Sequence, residues 1–222
     1  MKERRRKPAF FVGRSSLGQS SSRRSSSRRR KPRRRFPPEV LTDREVRALL
    51  DACPDTHTGV RNRALLALLY RGGLRLGEAL KLRPKDLDLA EGVVRVLHAK
   101  GGYSRTSGID PGAAAEVARW LALRGTWTLP PLAPLFCTAS GKAVTQAYVR
   151  RLLPVLGQRA GIEKRVHAHG LRHTHAAQLR EEGLDIGIIS KQLGHRSIAT
   201  TARYLDHICP VAVVEAMRGR AW

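Results

Sequence analysis

Toward the end of the chain, H-G-L-R-H-T occupies positions 169 to 174, L-G-H-R-S occupies 193 to 197, and a tyrosine follows at Tyr204. His169 and Arg172 are three residues apart, so on a helix they share a face. His195 follows Gly194, a residue type that ends helices, and Tyr204 lies far enough along the next helical stretch to fold back. Two histidines, an arginine and a hydroxyl nucleophile are the residue types that phosphoryl transfer requires when no metal assists. Attack on phosphorus builds charge on the equatorial oxygens, so catalysis there is positioning plus electrostatic stabilisation. Arginine suits those oxygens because its planar fork pairs with them and stays charged. A nucleophile and a proton donor for the leaving alkoxide complete the requirement. Upstream, G-L-R-L-G-E at 73 to 78 sets Arg75 at a helix start beside a Gly-Gly break, with Glu78 three residues on to orient its guanidinium. Lys100 stands in the K-G-G-Y-S turn, where a flexible arm can reach a groove.

The elements that must position these residues are mostly helical. Thr42 and Glu45 form a capping-box pattern, with Leu41 and Val46 as a hydrophobic staple. Val46, Leu49, Leu50 and Cys53 then follow helical spacing. A leucine-rich helix is predicted over 60–70, and a third short helix runs to Leu82, where Arg83-Pro84 ends it. Val93 to Leu97 reads as a strand, with a turn at 100–104 and a return strand over 105–109. Asp110-Pro111 caps a helix facing inward through Val117, Trp120 and Leu121. Residues 135–138 read as a short strand. Thr145 opens a helix with Val149, Leu152, Leu153 and Leu156 inward, and Pro154 is expected to kink it. From Ala168 the chain reads as three helical pieces, with Gly183 and Gly194 at C-terminal caps. The expected fold class is mainly α (α+β): a helical domain with one small antiparallel sheet.

The 222 residues carry 42 Lys+Arg against 18 Asp+Glu, a formal net charge of +24. Nucleic acid is the partner best matched to such a surface, with an anionic membrane as the rival. No apolar run reaches spanning length, and Ala9 to Val12 is too short for a signal-peptide core. Cys53, Cys137 and Cys209 fit neither a disulfide framework nor a zinc ribbon, which makes a reducing cytoplasm the expected location. Residues 1–38 hold fifteen Lys+Arg and one acid, Glu3, so more than half of the excess charge lies there. The Arg/Ser stretch over 1–37 cannot bury enough apolar area to offset its ordering entropy and reads as a disordered basic tail. It could grip phosphates nonspecifically, or simply be solvated. The ordered domain is expected over 38–222, and it is itself basic.

Four segments together resemble the catalytic domain of the tyrosine recombinases, the phage-integrase family. They are Y-R-G-G-L-R-L-G-E-A-L-K-L-R-P-K-D-L-D at 70–88, H-A-K-G-G-Y-S-R-T at 98–106, H-G-L-R-H-T-H-A at 169–176 and L-G-H-R-S-I-A-T-T-A-R-Y at 193–204. They stand in the family's order over about residues 39–210, and each restricts several positions independently. The resemblance implies that Arg75 and Arg172 clamp the nonbridging oxygens of a scissile DNA phosphate. It implies that His169 and His195 donate further hydrogen bonds or manage the tyrosine proton. Lys100 would protonate the leaving 5′-hydroxyl, and Tyr204 would attack to leave a 3′-phosphotyrosine link, with Glu78 in support. No cofactor is implied, neither ATP nor a metal. The partner is double-stranded DNA, and the family implies a homo-tetramer on paired recombination sites, with the apolar stretch 211–217 as a helix that docks at home or on a neighbour. Family members commonly carry a core-binding domain ahead of the catalytic one. Residues 1–38 leave no room for it, which puts site recognition in question.

Blander readings stand beside these. Taken alone, Tyr204 fits a half-buried helix tyrosine, Arg75 a surface ion pair with Glu78, and Lys100 a solvated turn residue, where Tyr103 replaces the family's frequent second lysine. His169 and His173 have the spacing of a metal pair, but Gly170 stands where that motif needs glutamate, so no metal is expected. His173 and His175 read as packing or DNA-side residues. Arg105, Arg150, Arg151, Lys164 and Arg165 are candidate phosphate contacts or ordinary solvated side chains. The expected activity is that of an integrase or site-specific recombinase. A DNA-relaxing topoisomerase of the same mechanism and a non-enzymatic DNA-binding relic are the rivals.

Overall fold

The computed structural model describes residues 39–97, 104–195, 197–208 and 217–218. The basic tail, Lys100 with its turn, and most of the apolar stretch 211–217 lie outside the described residues. Helix α1 (Asp43–Asp51) starts on the expected capping box: the Thr42 amide donates to Glu45 Oε2 at 2.7 Å, and the Glu45 amide donates to Thr42 Oγ1 at 3.2 Å. Helix α2 (His57–Tyr70) begins three residues before the expected start. Its cap is Thr56, whose hydroxyl accepts from the Gly59 amide. The polar first turn hides this start from any reading of apolar periodicity. Val60 and the run from Ala64 to Tyr70 are buried on every side, as befits a helix at the centre of a domain rather than on its surface.

After the short α3 (Leu76–Ala79) and a 3₁₀ turn at Pro84–Asp86, three strands form an antiparallel sheet in the order β1 (Leu87–Asp88), β2 (Val93–Val96), β3 (Arg105–Gly108). Val93 pairs with Gly108 and Val96 with Arg105, so the two expected strand segments pair antiparallel as β2 and β3. Strand β1 escapes a periodicity reading because two residues are too few to show alternation. Residues 135–138 are not a strand: only Cys137 bridges Ala143, and the chain turns back at once. Helix α4 (Pro111–Gly125) is capped by Asp110, which accepts from the Ala113 amide at 2.8 Å. Helix α5 (Gln146–Arg159) runs unbroken through Pro154. Pro154 lies on the solvent side, where water can satisfy the carbonyl that its missing N–H leaves free. Helices α6 (Ala168–Glu181), α7 (Ile186–Leu193) and α8 (Ile198–Ile208) are the three expected pieces. The mainly α fold with one small antiparallel sheet is thus observed.

Two apolar clusters hold these elements. The larger joins α1, α2, α4 and α5 around Leu65, Leu68, Trp120, Phe136, Leu153 and Leu156. Trp120 is fully buried, and its indole donates to the Leu135 carbonyl at 2.9 Å. The smaller cluster is Ala176, Ala177, Ile189, Leu193 and Leu205, and it seats α7 and α8 on α6. His175 packs where the two meet, edge-on to the Tyr70 ring and against Gly73.

Trp120→Ala removes both packing and a satisfied buried donor's ring, so it should cost about 3–5 kcal/mol in urea unfolding. Burial, with Arg71 adding repulsion, holds the His175 pKa down to about 4. An unfolded histidine takes up its proton near 6.5, so the folded state loses stability as pH falls from there toward 4 and is unaffected above. In His175→Gln, the unfolding free energy over that window should lose up to about 1.4 kcal/mol per pH unit of slope relative to the parent.

Candidate active site

The site is assembled around Arg172. This arginine is 1% exposed. Its Nη1 donates to the Gly73 carbonyl, and its Nη2 donates to the Leu193 carbonyl at 2.5 Å and approaches His195 Nε2 at 3.1 Å. Burying a cation is costly unless it is hydrogen-bonded; here backbone carbonyls from two distant segments take up the two terminal nitrogens, while Nε is buried without a hydrogen-bond partner among the described residues. Burial, with Arg75 adding repulsion, brings the Arg172 pKa down to about 10, which still leaves it charged at neutral pH. Gly73 has φ +57, and a Cβ there would stand 2.8 Å from the His175 ring. The Gly-Gly break is therefore a close-packed turn that delivers Arg75 to the site.

Arg75 caps α3, and Glu78 holds it twice. Glu78 Oε1 accepts from Arg75 Nη1 at 2.9 Å, and Oε2 accepts from the Arg75 amide at 3.0 Å. The Arg75–Glu78 pairing expected from spacing is thus present, with Arg75 one-third exposed and Glu78 buried. Burial alone would raise the Glu78 pKa. The hydrogen bonds from Arg105 and Arg75 outweigh it and hold the carboxyl at about 2.

His195 follows the left-handed cap Gly194. Arg172 can only donate, so the facing His195 Nε2 accepts, and the ring proton resides on Nδ1. That nitrogen lies 2.9 Å from Thr201 Oγ1. Burial and the arginine cluster bring the His195 pKa to about 4, so the ring is neutral at pH 7. Thr201 is fully buried and stands one helical turn before Tyr204 on α8. Neither Thr201 nor Gln192, whose amide exchanges hydrogen bonds with the Gly108 backbone at 2.9 and 2.8 Å, emerges from sequence reasoning. The T-T pair before A-R-Y was a signal that a turn-spacing argument could have used.

Tyr204 lies in the same cluster. Its ring stacks on His173 (centroids 4.9 Å apart, planes at 22°) and meets His195 edge-on at 5.2 Å and His169 at 6.3 Å. Its hydroxyl is buried without a hydrogen-bond partner among the described residues. Burial pushes the Tyr204 pKa up to about 12, against the pull of Arg172 and Arg75. His169 is solvent-exposed, and desolvation of its buried part, with repulsion from Arg172, lowers its pKa. Arg75, His169, Arg172, His195 and Tyr204 therefore converge, while Lys100 lies outside the described residues.

The candidate phosphate contacts divide. Arg105 turns inward and pairs with Glu78. Lys164 Nζ is taken up by Glu45 Oε2 at 2.8 Å and the Val40 carbonyl at 3.0 Å, tying the start of the domain to the segment before α6. Arg150, Arg151 and Arg165 are exposed. His173 and His175 are buried packing residues. Among the described residues, no group of three or more His, Cys, Asp or Glu is arranged to hold a metal ion.

Residues 39–208 match the model of the Phage integrase family. The chain is 34% identical over 165 residues to the type 1 fimbriae regulatory protein FimE of Escherichia coli K12, covering 74% of this chain and 83% of that protein. It is 37% identical over 186 residues to tyrosine recombinase XerC of Xanthomonas campestris pv. campestris strain B100, covering 83% of this chain but 56% of XerC. In structure it is similar to XerA recombinase (TM-score 0.73, 28% identity, 85% of this chain and 68% of that one). It is also similar to the XerH site-specific recombinase in a post-cleavage complex with its difH substrate (TM-score 0.68, 28% identity, 82% and 53%). With this span matched and these residues convergent, the chain belongs to the phage integrase family and contains a tyrosine recombinase catalytic domain.

Proposed function

We propose that this tyrosine-type site-specific recombinase cleaves and rejoins duplex DNA with Tyr204 as nucleophile. The observation that carries the assignment is the placement of Tyr204 against His195, His173 and His169 beside the buried Arg172 of the same chain. Tyr204 Oη attacks the scissile phosphorus. The new bond is the tyrosyl phosphodiester on the 3′ side, and the bond broken is that to the 5′ oxygen. Lys100 supplies the proton that the leaving oxygen needs. Because the phosphodiester is conserved in the covalent link, a second 5′-hydroxyl can attack it and reverse the step.

Arg75 and Arg172 act on the nonbridging oxygens, where charge accumulates as the bond forms. Arg172 enters the reaction already charged and already immobilised, so little reorganisation is needed when phosphate arrives. Tyr204 is protonated in the DNA-free protein. His169 is assigned here to receive that proton, since His195 Nε2 is engaged by Arg172. The reaction needs neither ATP nor a metal. Duplex DNA is the substrate, the assembly is a tetramer on paired sites, and the work is done in the cytoplasm. XerH, one structural relative, is described in complex with DNA after cleavage.

On a nicked suicide substrate the parent should trap as a protein–DNA adduct stable to denaturant, and Tyr204→Phe should abolish it. Undiminished trapping in Tyr204→Phe would overturn the assignment. Neutralised phosphates release counterions, so affinity falls with salt in proportion to the contacts made. Deleting residues 1–37 should weaken binding to duplex DNA at low salt and make the log–log salt slope shallower. An unchanged slope would mean that the tail does not touch DNA.

A further inference from the structure

Arg105 opens β3, five residues after Lys100 in the sequence, and its side chain is 11% exposed. Its Nη2 donates to Glu78 Oε2 at 2.9 Å, on the carboxylate that also clamps Arg75. Its side chain also lies close against Gly194, the residue before His195. A Cβ on Gly194 would stand 2.4 Å from Arg105 Cδ and 2.5 Å from Nε. Nε and Nη1 are buried without a hydrogen-bond partner among the described residues. A surface arginine serving only as a solvated or nonspecific phosphate contact has no reason to be enclosed in this way. Burying two unpaired donors beside one ion pair costs more than leaving the side chain in water.

We propose that Arg105 is a positioning residue for DNA cleavage, one that fixes Arg75 through Glu78 and fixes His195 through contact with Gly194. The proposal rests on the function assigned above. Glu78 is the hinge of the device. Arg75 alone engages both carboxylate oxygens, Oε1 through its guanidinium and Oε2 through its amide. Arg105 adds a second donor on Oε2, from a different element, and so opposes a rotation of the carboxylate that would carry the Arg75 guanidinium with it. On the other side, the absence of a side chain at Gly194 (φ +64) lets the Arg105 stem pack against the backbone that leads into His195. One side chain thus spaces the element bearing Arg75 from the element bearing His195. The sequence signal for it is the arginine of K-G-G-Y-S-R, which reads as one more basic residue until its burial is known.

The experiment compares parent, Arg105→Gln, Arg105→Lys, Glu78→Gln and the Arg105→Gln/Glu78→Gln double variant in the full chain. It measures the first-turnover rate of adduct formation on the nicked substrate at saturating DNA, together with duplex affinity, its salt slope and the urea midpoint. The expected result is a loss of tenfold or more in rate for Arg105→Gln with affinity and salt slope unchanged. Arg105→Lys should recover part of the rate, since it restores a cation to Glu78 without the planar guanidinium against Gly194. The double variant should be little slower than Glu78→Gln alone, because the two residues act as one unit. A parental rate in Arg105→Gln would overturn the proposal. So would a loss that vanishes at saturating DNA and comes with a salt slope shallower by about one, the signature of a plain phosphate contact. If Arg105→Gln does not fold, Arg105→Lys decides alone: slowed cleavage with intact affinity supports the proposal, and a parental rate overturns it. If the parent forms no Tyr204-dependent adduct, it is the assignment of Tyr204 that has failed, a result distinct from any in the Arg105 series.

Discussion

The buried guanidinium of Arg172 is the interaction on which the rest of the site depends. A cation removed from water must be compensated in place, and its compensation comes from the Gly73 carbonyl, the Leu193 carbonyl and the His195 ring. Those groups belong to the turn that leads into Arg75 and to the end of the helix that leads into His195. Satisfying one arginine therefore registers three segments that are far apart in sequence. Gly73 and Gly194 serve the same end, since each takes a left-handed conformation with no space for a Cβ.

The charge balance follows from that centre. Arg75, Arg105 and Arg172 are gathered around one buried carboxylate, Glu78, so the site is electropositive before any ligand arrives. This field, added to burial, keeps His195 neutral, and burial keeps Tyr204 protonated against the pull of the arginines. On the proposed function, a DNA phosphate entering such a space would supply the missing negative charge to groups already oriented for it. Catalytic readiness and the cost of assembling like charges are two sides of the same arrangement.

The packing is unequal in a way that bears on the chemistry. The large cluster around α2 gives a rigid body that carries Arg75 and the sheet. The helix bearing Tyr204 instead rests, through Leu205, on the five-residue cluster of α6, α7 and α8. Elements held by few buried contacts open at lower free energy than the core around them. Tyr204, the proposed nucleophile, thus sits on the lightly packed α8, while Arg75, proposed to bind phosphate, is carried by the larger cluster.

Much of this was legible in the linear chain. The capping box at Thr42 and Glu45, the Asp110-Pro111 helix start, the β2–β3 hairpin and the glycine cap at 194 rest on local stereochemistry, which a sequence carries directly. Local patterns also announced the residues of the site, because His169, Arg172, His195, Tyr204, Arg75 and Glu78 stand in motifs restrictive enough to be recognised. What escaped were features with no local signature. A two-residue strand shows no alternation, and a polar first turn hides the start of α2. Only tertiary structure decided that Lys164 ties the domain together, that Thr201 holds His195, and that Arg105 faces inward. Each of those outcomes depends on which charges and hydroxyls are buried side by side, and burial is a property of the packed chain. The sequence by itself determined which chemical groups were available and which helices would carry them. The fold determined which of its many arginines lost their water, and so which of them stand in the site.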